Sequence, residues 1–436
     1  MKPEGKLIRP AGRGQGSHKG SGGVYAPLDN AKQRKAGFMG DGPITFDAVI
    51  APLTREWFLS EYWTKKFVHL RGPKGRFTSL LTWEKLNEVL EWQNPPPLIK
   101  LLKGGDRIDQ SFYIDHMDKA PEARQLNVGR LVACISQGAA LVIDSIHNVV
   151  PPVMDVSELF ADVFHAPNAV NLYAGWGTQN TFHLHWDPQE VFILQLSGRK
   201  HWKIYPPTRP YPLKDDVEKT PEPSGAPVWE GVVEDGDMLY VPRGWWHIVH
   251  PLNEPSLHLN VGIQTATGAD FLGWWLPRLL RHPELRQDLP LGITAAQTQD
   301  YFAGLLEVMA RDGQEGSSPG EFLREWNAYR SARARVRLPV APAEQGAKLE
   351  MATRVRLAQR LGLFIEFKPG DRTARFHAVG GEYNIAPHII PALERLSGRE
   401  SLTVGEICQG IDNPQTIKDI FNALEIMAGA GVILKE

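Results

Sequence analysis

Cysteine is almost absent from this chain of 436 residues, which has only Cys134 and Cys408. Two cysteines this far apart offer neither a disulfide framework nor a CxxC zinc motif, which favours a reducing compartment. Apolar runs of about 18 residues, long enough for a transmembrane helix, are also missing, as is a signal-peptide apolar region. The formal net charge is only -2. These absences predict a cytoplasmic protein with no general attraction to nucleic acid or membranes.

The length of the chain predicts more than one domain, because single hydrophobic cores stop growing well below this size. Residues 1–42 are rich in Gly, Lys, Arg and Ser, which predicts a flexible basic tail. An RNA-contacting arm is the alternative. Apolar spacing predicts helices at 55–62, 83–90, 131–136 and 157–164, the last capped by Asp155 or Ser157, and strands at 66–70 and 140–144. A strand-rich centre flanked by helices is typical of a double-stranded barrel with helical buttresses.

One stretch concentrates residue types that bind metal ions. It contains His185-Trp186-Asp187, followed by an apolar strand and a Gly turn. If the stretch is extended, side chains alternate, so His185 and Asp187 share one face. In the later segment GDMLYVPRGWWHIVHP, His247 follows a Pro-Arg-Gly turn and is a candidate third ligand. Two histidines and one carboxylate leave the opposite positions of an octahedral metal open, as in non-haem Fe(II) oxygenases.

Other histidines compete for these roles. His183 shares the face of His185, so these two could form a pair without Asp187 and recruit a third ligand elsewhere. A His-x-Asp pair also arises by chance in chains of this length. We interpret His250 and His258 as buried, hydrogen-bonded histidines, which is the usual state of this side chain in a strand.

The surroundings of these motifs resemble one protein family. His185, Asp187, FILQLSGRKHWKIYPP and GDMLYVPRGWWHIVHPL resemble the JmjC-type 2-oxoglutarate oxygenases of the ribosomal oxygenase group. The resemblance extends upstream through FDAVIAPLTREWFLSEYWTKKFVHLRG and LVIDSIHNVVPPV, and it covers residues 43–275 closely. It implies an α+β fold: a double-stranded β-helix (JmjC/cupin) barrel with helical buttresses at 43–268, a helical dimerisation region at 269–345 and a winged-helix domain at 346–436.

The resemblance also implies Fe(II) and 2-oxoglutarate as cofactors, with His185, Asp187 and His247 as the metal ligands. The far carboxylate of 2-oxoglutarate then needs a buried cation, because an unpaired carboxylate inside a barrel is very costly. Lys200 and Lys203 are the candidates, and their odd separation sends them to opposite faces of the strand. The resemblance favours Lys200 and leaves Lys203 as a solvated strand lysine.

Three further residues are candidates for binding 2-oxoglutarate. Tyr173 and Asn260 lie on apolar strands, where an inward polar side chain needs a partner. The family uses equivalent positions to hold the co-substrate, although each residue can equally be structural. Some relatives have a threonine three residues before the first histidine ligand. This chain has Phe182 there and Thr181 one residue earlier, so the hydroxyl contact stays open.

Three amphipathic helices are predicted after the barrel, at 269–281, 299–311 and 319–332. Their apolar faces must be covered. The resemblance implies that they form a homodimer interface, and packing against the barrel of the same chain is the alternative.

The C-terminal segment fits a winged helix. Thr403 and Glu406 have the spacing of a capping box, and a helix at 414–428 precedes a terminal strand at 432–435. The helix carries Lys418 next to acidic residues, so its charge does not favour phosphate. We expect a protein-interaction or scaffold module and no direct DNA binding.

The resemblance implies an Fe(II)- and 2-oxoglutarate-dependent hydroxylase that acts on a His or Arg side chain of a ribosomal protein. One alternative is hydroxylation or N-demethylation of another peptide or protein. The other is a non-catalytic cupin-like binding module, which the intact His185, Asp187 and His247 disfavour. The sequence does not identify the substrate residue, because pocket width and charge depend on loops.

Overall fold

The computed structural model describes residues 44–92, 98–117, 120–216, 220–288, 292, 294–315, 319–330, 348–358, 364–367, 372–378, 381–397 and 401–436. Its helices, in chain order, are α1 Phe46–Ile50, α2 Arg55–Glu61, α3 Trp83–Trp92, α4 Val128–Ser136, α5 Pro151–Phe164, α6 Gly268–Leu279, α7 Ala295–Glu315, α8 Pro319–Arg330, α9 Ile390–Glu394, α10 Val404–Ile407 and α11 Pro414–Gly429. Its strands are β1 Val68–Leu70, β2 Leu98–Lys103, β3 Asp106–Ile108, β4 Ile114–Met117, β5 Ala120–Leu126, β6 Ala140–Asp144, β7 Asn168–Gly175, β8 Glu190–Ser197, β9 Lys200–Tyr205, β10 Trp229–Val233, β11 Met238–Val241, β12 Trp246–Pro251, β13 Ser256–Ile263, β14 Arg354–Leu357, β15 Phe364–Glu366, β16 Ala374–Ala378, β17 Gly381–Ile385, β18 Leu402–Thr403 and β19 Ile433–Lys435.

Two antiparallel sheets form the centre of the fold. The larger has eight strands in the order β1-β11-β8-β13-β7-β6-β2-β3, and the smaller has the order β10-β9-β12. One hydrophobic cluster joins Ile193 and Leu239 of the larger sheet to Trp202, Ile204 and Trp229 of the smaller one. Since side chains of both sheets share this cluster, the sheets face each other and enclose an interior.

The side chains of β8 point alternately into this interior and into a second hydrophobic core. Val191 and Ile193 point toward the smaller sheet, whereas Phe192 and Leu194 belong to the cluster that the helices cover. The ring of Phe192 lies 4.9 Å, centroid to centroid, from that of Phe160 in α5. The helical buttresses predicted from sequence therefore pack on the outer face of the larger sheet.

Helices α5 and α4 begin earlier than predicted. Helix α5 was predicted from 157 with an acidic or serine cap, but it begins at Pro151 after Val150, which makes no side-chain cap. Proline is well suited to a first turn because its missing N–H is not needed there. Helix α4 was predicted from 131 and begins at Val128, because the Asn127 side chain accepts a hydrogen bond from the Arg130 N–H.

The C-terminal part of the chain has a core of its own. This second cluster contains Val355, Leu393, Ile420 and Ile433, and a three-stranded sheet has the order β18-β14-β19. The predicted Thr403 capping box is present at α10. The predicted tail at 1–42 and the domain boundary at 345/346 lie outside the described residues.

Helices α6 and α8 pack together through aromatic side chains. Phe271 and Trp274 of α6 contact Phe322 of α8, with ring centroids 5.6 and 5.7 Å apart. Arg278 of α6 also forms a salt bridge with Glu325 of α8. Among the described residues, no helix has both the length and the apolar character that crossing a membrane requires.

Candidate metal centre

His185 and Asp187 lie in the loop between β7 and β8, so the strand predicted for this segment is absent. One extended residue remains, because His185 pairs with His247 of β12 in an isolated antiparallel bridge. The His247 N–H donates to the His185 carbonyl at 2.7 Å, and the His185 N–H donates to the His247 carbonyl at 3.2 Å. Two segments distant in sequence are thus fixed side by side.

The bridge brings the three predicted ligand side chains together. One ligand atom from each of His185, Asp187 and His247 lies within 4.8 Å of the others. The Nε2 atom of His247 is 3.6 Å from the Oδ2 atom of Asp187. His247 is buried, whereas His185 and Asp187 are partly exposed. One side of the cluster is therefore buried in protein and the other faces outward.

Backbone carbonyls orient both imidazole rings. The Nδ1 atom of His185 lies 2.7 Å from the His183 carbonyl, and that of His247 lies 3.1 Å from the Trp245 carbonyl. A ring that donates from Nδ1 keeps the lone pair of Nε2 for a metal. Burial, and next the neighbouring His185, lower the pKa of His247 to about 4. A neutral ring, a second imidazole and a carboxylate make a donor set that suits iron.

His183 does not join this cluster. It is exposed, and its ring packs against the turn between β2 and β3. A Cβ atom added to Gly105 would lie 2.2 Å from the Nε2 atom of His183. The alternative pair of His183 and His185 therefore receives no support from the geometry, and His183 supports the loop instead.

Lys200 and Lys203 occupy opposite faces of β9, as their spacing predicted. The Nζ atom of Lys203 lies 3.3 Å from Glu230 on the outer face. Lys200 is 3% exposed and points into the interior, where burial lowers its pKa to about 7. It forms no salt bridge within the described part of the chain. Lys200 is thus a buried amine without a carboxylate partner among the described residues.

Tyr173 and Asn260 also face the interior. The Tyr173 hydroxyl lies beside the side-chain amides of Asn171 and Asn260, and burial, then the charge of Asp187, raise the pKa of Tyr173. The Oδ1 atom of Asn260 is buried and has no hydrogen-bond partner among the described residues. Both candidates lie where they can reach a ligand in the interior.

Phe182 occupies the position where some relatives have threonine. Its ring centroid lies 6.1 Å from that of Tyr173 and 5.5 Å from that of His185. An aromatic ring therefore occupies the position at which some relatives have a threonine hydroxyl. Thr181 precedes it in the same loop and is partly buried, and its contact with a co-substrate stays a prediction.

The sequence patterns gave no ligand-binding role to three polar groups in the interior. The Oε1 atom of Gln195, the Nε1 atom of Trp202 and the Nδ1 atom of His258 are buried without a hydrogen-bond partner among the described residues. The Nδ1 atom of His258 therefore lacks the hydrogen bond that was expected for this ring. The alternation of side chains along a strand could have indicated Trp202, because it lies two residues after Lys200 and therefore faces the interior as well. Unpaired buried polar groups are costly, so this interior fits a small polar ligand that bears negative charge.

A cavity of about 370 Å³ adjoins the exposed side of the metal cluster. His185 and Trp246 form part of its wall, and Asp216, Thr220 and Glu222 from the segment between β9 and β10 form another part. The indole N–H of Trp246 donates to the Thr208 hydroxyl at 2.9 Å, which fixes that wall. A side chain of another molecule can approach the cluster from this cavity.

The fold and the clustered residues define a class of protein. Residues 150–271 match the family model described as the JmjC domain. This segment contains His185, Asp187, Lys200 and His247. Over these residues the chain is therefore similar to the JmjC domain.

Relatives sharpen this assignment. The Aedes aegypti protein named bifunctional lysine-specific demethylase and histidyl-hydroxylase NO66 is 30% identical over 262 residues, which are 57% of this chain and 40% of that protein. Ribosomal oxygenase 1 of Gallus gallus is 28% identical over 265 residues, 56% of this chain and 42% of that protein. The chain thus spans about two fifths of the length of these relatives. The resemblance to the ribosomal oxygenase group is confirmed.

Solved structures share the fold. YcfD, a ribosomal oxygenase from Escherichia coli in complex with cobalt and 2-oxoglutarate, aligns with a TM-score of 0.54 at 19% identity, covering 88% of this chain and 99% of YcfD. Its complex with cobalt and succinic acid gives a TM-score of 0.53 at 18% identity. The fold of this chain is therefore of the JmjC/cupin type with mixed helices and sheets, similar to that of YcfD.

Proposed function

We propose that this protein is an Fe(II)- and 2-oxoglutarate-dependent protein hydroxylase whose metal is held by His185, Asp187 and His247. The observation that carries the proposal is the convergence of three ligand atoms within 4.8 Å of one another. Two imidazoles and one carboxylate leave coordination positions open for a co-substrate and oxygen. When bound, Fe(II) and 2-oxoglutarate supply the oxidising power for hydroxylation of a C–H bond.

Lys200, Tyr173, Asn260 and Thr181 would bind 2-oxoglutarate. The buried Lys200 ammonium pairs with the far carboxylate, and this pairing offsets the cost of burying both charges. The Tyr173 hydroxyl and the Asn260 amide supply polar contacts nearer the metal cluster, because Tyr173 lies within the field of Asp187.

The substrate would be a basic side chain, His or Arg, on a ribosomal protein. The names of the relatives support this proposal, since they include a histidyl hydroxylase and ribosomal oxygenases. The cavity beside His185 is lined by Glu222, by Lys214 and by Asp216, which pairs with Arg209, so its charge alone does not select a basic group. Demethylation of lysine is a second candidate, favoured by the other activity in the name of the Aedes aegypti relative.

The function is tested by succinate release and mass spectrometry. With Fe(II), 2-oxoglutarate and ribosomal proteins as substrates, we expect succinate and a mass gain of one oxygen on a His or Arg side chain. A loss of methyl groups from lysine would support demethylation instead. Absence of any 2-oxoglutarate turnover would contradict the proposal and leave a binding module.

Replacement of Asp187 by Ala should abolish turnover without unfolding the protein. The reason is that a site with two imidazoles and no carboxylate holds iron weakly and in the wrong geometry. Asp412→Ala, which removes an exposed carboxylate of the C-terminal part, is the matched control and should retain full activity. Turnover by Asp187→Ala would mean that the ligand set is wrong.

We also propose that α6, α7 and α8 form a homodimer interface. Leu272, Leu276 and Leu280 are 54%, 62% and 51% exposed and follow one another at helical spacing. Phe302 and Leu306 of α7 are exposed as well. A continuous apolar stripe of this kind is costly in water. Leu276→Glu should convert a dimer into a monomer in analytical ultracentrifugation, whereas a monomeric starting protein would contradict the proposal.

The division of the chain is a further proposal, with a catalytic barrel at 43–268, a dimerisation region at 269–345 and a winged-helix domain at 346–436. In the last of these, the small sheet β18-β14-β19 beside α10 and α11 supports a winged helix. Asp419 of α11 contacts His388, so acidic groups lie on this helix and direct DNA binding is not expected. We place the protein in the cytoplasm, where ribosomes are available.

A further inference from the structure

Two buried polar side chains, Lys200 and His258, face the same end of the barrel interior. Lys200 is 3% exposed and His258 is 4% exposed. Lys200 takes part in no salt bridge, and the Nδ1 atom of His258 takes part in no hydrogen bond, within the residues that the structure describes. Leaving a buried donor or acceptor unsatisfied costs free energy comparable to a lost hydrogen bond. Both groups therefore indicate a ligand at this end of the interior.

The position of the His258 ring is fixed by its neighbours. In β13 it lies directly opposite Tyr173 of β7 and Gln195 of β8. Its ring stacks on that of Tyr173 with centroids 4.9 Å apart and planes at 5°, and it meets Trp202 edge-on at 6.2 Å. These contacts leave the ring little freedom to rotate. Its nitrogen atoms are held at one place in the interior.

The Lys200 ammonium lies close to this pair of rings. Gly175 is two residues beyond Tyr173 on β7, so it shares the same face. A Cβ atom added to Gly175 would lie 3.9 Å from the Nζ atom of Lys200. The ammonium, the Tyr173 ring and the His258 ring thus surround the same part of the interior.

The His258 ring is neutral at this position. Burial, and next the charge of Lys200, hold the pKa of His258 well below its usual value. A neutral imidazole carries one N–H donor and adds no second positive charge to the interior. It can therefore donate a hydrogen bond to an anion that Lys200 has already neutralised.

We propose that His258 is a further co-substrate-binding residue, which donates a hydrogen bond from Nδ1 to the far carboxylate of 2-oxoglutarate beside Lys200. This inference rests on the proposed function. One carboxylate oxygen pairs with the ammonium and the other accepts the imidazole N–H, so both unpartnered groups are satisfied by one ligand. The stack on Tyr173 fixes the plane of the His258 ring and therefore the direction of its N–H. A ligand is then favoured if its carboxylate lies at the matching distance from the metal.

The experiment compares two keto acids on protein loaded with Mn(II), which permits binding without turnover. 2-Oxoglutarate has the far carboxylate, whereas pyruvate presents the same keto-acid end without it. His258→Phe keeps an aromatic ring for the Tyr173 stack and removes the donor. Isothermal titration should show a dissociation constant for 2-oxoglutarate that is raised about 10-fold to 100-fold, the usual loss for a hydrogen bond to a charged group. The affinities for pyruvate and Mn(II) should stay unchanged.

Further variants separate binding from structural support. His258→Asn keeps an N–H donor and should recover part of the lost affinity. His201→Phe removes an imidazole from the outer face of β9 and should bind both keto acids as the wild type does. Should the Phe variant not fold, His258→Met, which has no N–H donor, replaces it in the comparison with His258→Asn.

Two results would overturn the inference. An unchanged 2-oxoglutarate affinity in the donor-free variant would show that Nδ1 does not reach the carboxylate. An equal loss for 2-oxoglutarate and pyruvate would show that His258 only supports the barrel. If wild-type protein with Mn(II) binds neither keto acid, the proposed function itself fails, which is a different result.

Discussion

The two faces of the larger sheet are both buried, yet they bury different kinds of side chain. On the outer face, Phe192 packs against Phe160 and other aromatic rings under the helices. On the inner face, Gln195 and His258 carry buried polar atoms without partners among the described residues. The outer face is satisfied by the protein alone, whereas the inner face is not. The buried apolar side chains of the outer face therefore contribute to stability, whereas the buried polar atoms of the inner face indicate a ligand-binding site.

Among the tests of this difference between the two faces, we expect the largest effect from the charge of Lys200, measured as the pH dependence of the free energy of unfolding. Burial lowers its pKa from 10.5 to about 7, so between these values the unfolded chain binds more protons than the folded one. The stability of the ligand-free protein should then rise with pH in this window, relative to Lys200→Met, by about 1.4 kcal/mol per pH unit. Denaturant unfolding at pH 7, 8 and 9 measures the difference.

The matched control for this variant is Lys203→Met on the outer face of the same strand. Lys203 pairs with Glu230 in a partly exposed salt bridge, so its removal should change the free energy of unfolding by about 1 kcal/mol or less at every pH. Equal pH dependence of the two variants would contradict the assignment of the buried charge to Lys200.

Phe192→Ala should destabilise the packing on the outer face of the sheet without changing ligand binding on the inner face. Removing a fully buried phenylalanine leaves a cavity and costs about 3–5 kcal/mol in the free energy of unfolding. Below the unfolding transition, the affinity for Mn(II) and 2-oxoglutarate should change little, because Phe192 points away from the interior. A large loss of ligand affinity in the folded variant would mean that the two faces are not independent.

Gly105→Ala should have a small effect on stability and a local effect on the metal cluster. Its backbone φ of +94° strains any L residue, and the new Cβ atom would meet the His183 ring at 2.2 Å. We expect a loss of about 1 kcal/mol from the strain and a several-fold weaker affinity for Mn(II), because His183 precedes His185 in the loop. Mn(II) titration followed by electron paramagnetic resonance measures this affinity.

Gly138→Ala provides the control for that substitution. Gly138 has a similar φ of +91°, but nothing lies within 4 Å of its added Cβ atom. It should lose stability to a similar extent and keep its metal affinity. Equal metal affinities of the two variants would show that the contact between Gly105 and His183 does not position the cluster.

Local patterns in the sequence predicted several of these features. The odd separation of Lys200 and Lys203 placed them on opposite faces, and the burial of β9 alternates accordingly. The Thr403 capping box was also predicted, because a cap depends on residues three apart. The start of α5 was missed, because its first turn has a proline and no capping side chain.

Features that depend on pairing between distant strands were predicted less well. The sequence suggested that His185 lies in a strand, but its one extended residue is held by the bridge to His247. His258 was expected to find a hydrogen-bond partner, and register decides which side chains lie opposite it. Neither the bridge nor the register can be read from one segment alone.

The sequence by itself determined which residue types could bind a metal and a diacid, and on which face of its strand each would lie, because strand periodicity is a local property. Only the tertiary structure decided that His247 meets Asp187 and that His258, whose Nδ1 has no partner among the described residues, lies beside Lys200. Non-local pairing of β7, β8, β12 and β13 sets these distances. The chemistry of the site therefore depends on contacts that form only when the two sheets close on each other.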